Sequence, residues 1–138
     1  MPAGVVYWDG AAVTAALLRR PDSERALAVL REPVVHLVPT LAWVEALAEA
    51  ARLVRDGALT REQRNAVTHA LERGPWRLTY ACPRRSVLED VVAGPYDAAT
   101  RWHLATAQTL SRRLPELRVL ALDAPLRALA ETHKLAID

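Results

Sequence analysis

The 138-residue chain has no phenylalanine, one cysteine, one methionine and only five glycines. A single cysteine, Cys82, excludes an intrachain disulfide, and a cytoplasmic home is the expectation. Five scattered glycines leave no Gly-rich phosphate loop, which argues against P-loop and Rossmann nucleotide sites. No apolar run reaches the ~20 residues a membrane span needs. The opening Met1-Pro2-Ala3-Gly4 lacks the basic and apolar regions of a signal peptide. Neither charge sign dominates: 18 Lys and Arg stand against 16 Asp and Glu, a net +2. That balance does not mark a nucleic-acid binder. The pairs Arg19-Arg20, Arg84-Arg85 and Arg112-Arg113 remain local candidates for phosphate contact. There is no repeat, low-complexity tract or linker.

What is present suits one globular domain over residues 1–138. The chain is 51% hydrophobic and 25% charged. A chain near this size buries roughly 70% of its unfolded surface, enough for a core without disulfides or structural metal. Short β-like runs alternate with longer helical ones. Val5-Val6-Tyr7-Trp8 reads as a strand. Residues 10–19 and 22–32 read as helices broken at Pro21, with Asp22 as N-cap. Residues 34–38 read as a second strand. Thr40 reads as the cap of a helix running to Asp56 and stopped at Gly57. Its apolar stripe is Leu41, Val44, Leu47, Ala48, Ala51 and Val54. Thr60 with Gln63 makes a capping box for a helix ending near Gly74. Residues 76–81 read as strand, 85–92 as a short helix broken at Gly94-Pro95, and 97–113 as helix. Residues 117–122 read as strand, 124–133 as helix, and 135–137 as a short final strand. Strands separated by helices predict an α/β fold, three layers of α/β/α around a parallel sheet of four to five strands.

In such sheets, sites lie at the carboxyl ends of the strands. Asp9 closes the first strand and Asp123 closes the last helix-flanked one. Glu45 interrupts an apolar helical stretch at the edge of its stripe. Three carboxylates from distant segments could converge on a hard cation such as Mg²⁺ or Mn²⁺, which takes oxygen ligands. The chemistry that suits is metal-assisted phosphodiester hydrolysis. Plainer readings stand beside it. Asp9 and Asp123 each suit a helix N-cap. Glu45 suits an ion pair with Arg52. Asp97 suits an N-cap, and His103 a packed histidine beside Leu104 and Ala107. His36, His69 and His133 lack the spacing of a zinc helix. Ser23, Ser86 and Ser111 lack a nucleophile-elbow context. Trp8, Trp43, Trp76 and Trp102 suit core or dimer-interface positions, and Cys82 suits a buried, inert thiol.

Four segments together resemble the PIN-domain family. Tyr7-Trp8-Asp9-Gly10-Ala11-Ala12-Val13 resembles the family's opening hydrophobic-Asp-x-x-Ala-hydrophobic segment. Pro39 to Ala48, with Glu45 early in a long helix, resembles the second. Thr100-Arg101-Trp102-His103-Leu104-Ala105-Thr106-Ala107 is similar to the third, usually Asp-x-x-His-Leu-Ala-x-Ala. Val119-Leu120-Ala121-Leu122-Asp123-Ala124-Pro125-Leu126 resembles the fourth. The resemblance covers almost the whole chain. It implies a small α/β/α domain and a Mg²⁺- or Mn²⁺-dependent ribonuclease site of four acids. Many bacterial members of this size are VapC-type toxins, commonly homodimers inhibited by a small antitoxin. The implied ligands are Asp9, Glu45 and Asp123, with Asp97 as a substitute fourth. Two residues depart from the pattern. Thr100 stands where the third acid belongs, and would support a metal-bound water through its hydroxyl. Gly10 stands where Ser or Thr is common. A family member that has lost turnover and serves as an RNA- or protein-binding module is the alternative that Thr100 raises.

Overall fold

A computed structural model describes residues 4–18, 23–91 and 95–137. Four strands form the sheet: β1 (Val5–Trp8), β2 (Val35–Pro39), β3 (Trp76–Thr79) and β4 (Leu117–Leu120). Their order is β3-β2-β1-β4, and every pairing is parallel. Seven helices are described: α1 (Gly10–Leu18), α2 (Glu24–Leu30), α3 (Thr40–Arg55), α4 (Arg61–Arg73), α5 (Arg85–Val91), α6 (Ala98–Ser111) and α7 (Ala124–Thr132). The fold is α/β, with helices on both faces of the sheet.

The central strand explains the layers. All four residues of β1 are buried, as expected of a parallel strand covered on both sides. Alternation sends its side chains to opposite faces. Val6 and Trp8 join a core built with α1, α2, α3 and α4. Val5 and Tyr7 join another built with α6 and α7. The strand order turns at β1: the first crossovers build toward β3, whereas β4 pairs on the other edge. The carboxyl ends of β1 and β4 therefore flank the topological switch point, where open sheets hold ligands.

Several local expectations meet the structure closely. The Thr60–Gln63 capping box is formed in both directions, at 2.8 and 3.1 Å. Gly57 ends α3 with a φ of +77°, a conformation glycine adopts without steric cost.

Others are corrected. The buried face of α3 is Ala42, Ala46 and Ala50, while Val44, expected in the stripe, is 59% exposed. The large residues misled because α1 and α3 approach through small ones. Gly10, Ala12 and Ala16 lie buried on α1, and a close helix pair turns its alanines inward and leaves larger side chains to flank the contact. Thr40 is the first residue of α3, not its cap; Pro39 holds that position and makes no side-chain cap bond. The expected 135–137 strand is a single parallel bridge, Ala136 to Val119. β3 stops at Thr79 and β4 at Leu120, two residues early in each case. Cys82 is exposed rather than buried, because it lies on the irregular segment leaving the edge strand β3. The expectations for Arg19-Arg20, Pro21, Asp22 and Gly94 fall outside the described residues.

Among the described residues, no helix is long and apolar enough to cross a membrane.

Candidate active site at the sheet's carboxyl edge

Asp9 is the innermost group of the site. It is 2% exposed and sits where β1 gives way to α1. Its amide extends the ladder to Leu120 at 3.2 Å. Its carboxylate accepts from the Ala12 amide at 2.7 Å, the Asp123 amide at 3.2 Å and the Leu122 amide at 3.5 Å. The first of these caps α1. The other two explain why β4 ends early: the amides at 122 and 123 turn to a side chain instead of a strand. Burial pushes the Asp9 carboxyl up to about 6, against the pull of these amides and of His103. An acid buried in this way is stabilised by any cation that reaches it.

Two further aspartates cap helices around it. Asp123 accepts from the Leu126 amide at 3.2 Å, at the start of α7. Asp97 accepts from the Thr100 amide at 2.8 Å, at the start of α6. The Thr100 amide and hydroxyl hold the Asp97 carboxyl below its ordinary range. The cap readings and the site readings are thus not rivals. Three helices turn their N-termini, with partial positive charge, toward the acids that cap them, which offsets the repulsion among those acids.

Glu45 comes from the flank of α3. Its Oε1 lies 2.5 Å from Nε2 of His103, not on Arg52, which pairs instead with Glu49 and Asp56 at 2.7 and 2.8 Å. His103 is 2% exposed. Its Nδ1 lies 2.7 Å from the Tyr7 hydroxyl. With Glu45 ionised, Nε2–H donates to the carboxylate and Nδ1 accepts from Tyr7. Burial first, then the Asp9 and Glu45 carboxylates, push the Tyr7 hydroxyl well above its ordinary range, so it remains a donor. The row Tyr7–His103–Glu45 fixes where the glutamate points. Tyr7 was legible only as a strand residue. The available signal was its hydroxyl: a tyrosine in a central strand must find a buried partner.

Gly10 has a steric reason. A Cβ placed there would collide with the Cβ of Glu45 and lie 3.0 Å from its carboxyl carbon. Serine or threonine at this position would occupy the space of the glutamate stem.

These groups border one cavity of about 100 Å³, lined by Asp9, Glu45, Asp97, Thr100, His103 and Asp123 among others. Every acid singled out in the sequence lines it, together with Thr100 and His103. The donor set is all oxygen beside one imidazole, which suits Mg²⁺ or Mn²⁺ in kind. Among the described residues, no group of three or more His, Cys, Asp or Glu is gathered on a single point where an ion could be held. Each carboxylate has a protein hydrogen bond instead. The remaining histidines lie apart. His36 accepts from the Trp8 indole at 3.0 Å, and His133 contacts Gln108 at 3.0 Å.

No protein-family model matches the chain, and no curated protein matches it.

Proposed function

We propose that the chain is a divalent-cation-dependent endoribonuclease of the PIN type, acting as the toxin of a VapBC-type pair. The observation carrying this reading is the meeting of Asp9, Glu45, Asp97 and Asp123, from four separate segments, around one small cavity at the switch point. The four-segment resemblance supports the choice of RNA. Asp9, Glu45 and Asp123 would hold Mg²⁺ or Mn²⁺, with Asp97 beside them. Such a cation lowers the pKa of water and offsets charge developing on phosphate. The protein's own part is positioning. Three amides orient Asp9, and His103, backed by Tyr7, orients Glu45. Phosphate contacts from arginines would set the register of the backbone. A homodimer and a small inhibitory antitoxin belong to the same reading.

One observation favours a second reading, a module that binds RNA or protein without turnover. Thr100 offers no negative ligand, and its amide and side chain bond Asp97. Cleavage of end-labelled RNA in Mg²⁺, Mn²⁺ or EDTA, run beside Asp9→Asn, separates the two. The nuclease reading expects cleavage that requires metal and disappears in the variant. Identical behaviour of both proteins in every buffer would leave only the binding module.

A further inference from the structure

Two of the three arginine pairs of the sequence contribute to one place. Arg84, just before α5, and Arg112 and Arg113, just after α6, line a cavity of about 280 Å³ with Cys82 and Thr109. No carboxylate lines it. Three arginines outside it have acidic neighbours: Arg52 with Glu49 and Asp56, Arg85 with Glu89 at 3.1 Å, and Arg127 with Glu131 at 3.7 Å. Among the described residues, Arg84, Arg112 and Arg113 have none. The negative end of the α6 dipole accounts for Arg112 and Arg113. It does not account for Arg84, which arrives from another segment. Arg84 is brought there by its backbone: its amide donates to Thr109 Oγ1 at 3.0 Å, and that hydroxyl donates to the Ala105 carbonyl at 2.8 Å. The two walls of the cleft are therefore tied together before any ligand binds.

We propose that this cleft binds the phosphates of an RNA backbone and docks the substrate away from the acid cavity. The choice of RNA rests on the ribonuclease reading. A guanidinium presents a planar fork of donors that matches a phosphate, and three of them without an acid form a site for more than one negative charge. At about 1.5 Å per residue, the 14 residues of α6 separate the cleft from the Asp97 end by roughly 21 Å. At that distance the arginines hold the strand and do not touch the reacting phosphate. Backbone contacts carry no base information, so docking is independent of RNA sequence.

Cys82 provides a local probe. It is the single cysteine, it is exposed, and it lines the cleft. Its alkylation by iodoacetamide is followed in EDTA, with and without saturating single-stranded RNA of roughly 20 nucleotides, longer than one groove covers. RNA is expected to slow the reaction several-fold, and inorganic phosphate at matched concentration to slow it far less. The variant Arg84→Gln/Arg112→Gln/Arg113→Gln should lose that protection. Its slope of log affinity against log salt should flatten by about 2, the loss of three phosphate contacts on a single strand. Arg55→Gln/Arg61→Gln/Arg73→Gln, with the same loss of charge, should keep both. Unchanged Cys82 reactivity in bound RNA, or a wild-type salt slope in the cleft variant, overturns the proposal. Protection by inorganic phosphate equal to that by RNA overturns the backbone assignment. Protection without metal-dependent cleavage would sink the nuclease reading and leave the cleft. Cleavage without protection would do the reverse.

Discussion

Asp9 is held by three amides and still titrates high, because the water it has lost outweighs the bonds it has gained. Its folded value of about 6 lies above the ~3.9 of an unfolded aspartate. The native state therefore keeps the extra proton between about pH 4 and 6. Stability from this group is full below that window and falls as pH rises through it, by about 3 kcal/mol in the limit. Asn cannot ionise. The stability of the wild type minus that of Asp9→Asn should fall across pH 4 to 6 in denaturant melts, and a flat difference would refute the burial argument. Gly10 gives a second residue-scale test. Replacing a helical glycine by alanine ordinarily stabilises. Here the new methyl meets the stem of Glu45, so Gly10→Ala should destabilise by about 1–3 kcal/mol, the usual cost of overpacking. A rise in melting temperature would show that α3 gives way freely.

At the scale of elements, β1 is joined to β2 by more than its ladder. The Trp8 indole donates to His36, and its ring meets Trp76 edge-on at 5.6 Å. Trp76 is buried, and its own N–H has no acceptor among the described residues. Removing the two N–H groups should thus have unequal effects. Trp8→Phe strands His36 Nδ1 and should cost about 1–3 kcal/mol more than Trp76→Phe, which removes an unsatisfied donor. Equal losses in urea melts would mean that the indole–imidazole bond contributes nothing. Elements governed by local signals were legible in the sequence. The capping box at Thr60, the stop at Gly57 and the run Val5–Trp8 act within a few residues. The acids Asp9 and Asp123 were legible because each lies between a strand and the helix that follows it. What escaped depends on partners far along the chain. The face of α3 is chosen by alanines and Gly10 on α1, the early end of β4 by the Asp9 carboxylate, and the direction of Glu45 by Tyr7 and His103.

At the scale of the whole molecule, a ligand of the native state raises the stability of everything at once. If Asp9, Glu45 and Asp123 hold a cation, Mn²⁺ at about 100 times its dissociation constant adds about 2.7 kcal/mol. For a chain of this size that is roughly 8–12 °C in melting temperature. The shift should vanish in Asp9→Asn, and Thr100→Asp should reach it at lower Mn²⁺. A melting curve unmoved by millimolar Mn²⁺ would count against any metal centre at this edge.

The order of strands also bears on how the protein is made. β1 leaves the ribosome before the other described strands, yet the neighbour it needs on one edge, β4, follows all of them. The amides of Leu122 and Asp123 that orient Asp9 come later still. Until then the apolar central strand has an unpaired edge, the kind of surface that recruits other chains. Synthesis broken off before residue 117 would therefore release an aggregation-prone fragment with an unformed acid cavity. The same topology delays any activity of that cavity until residues 117–123 have been made.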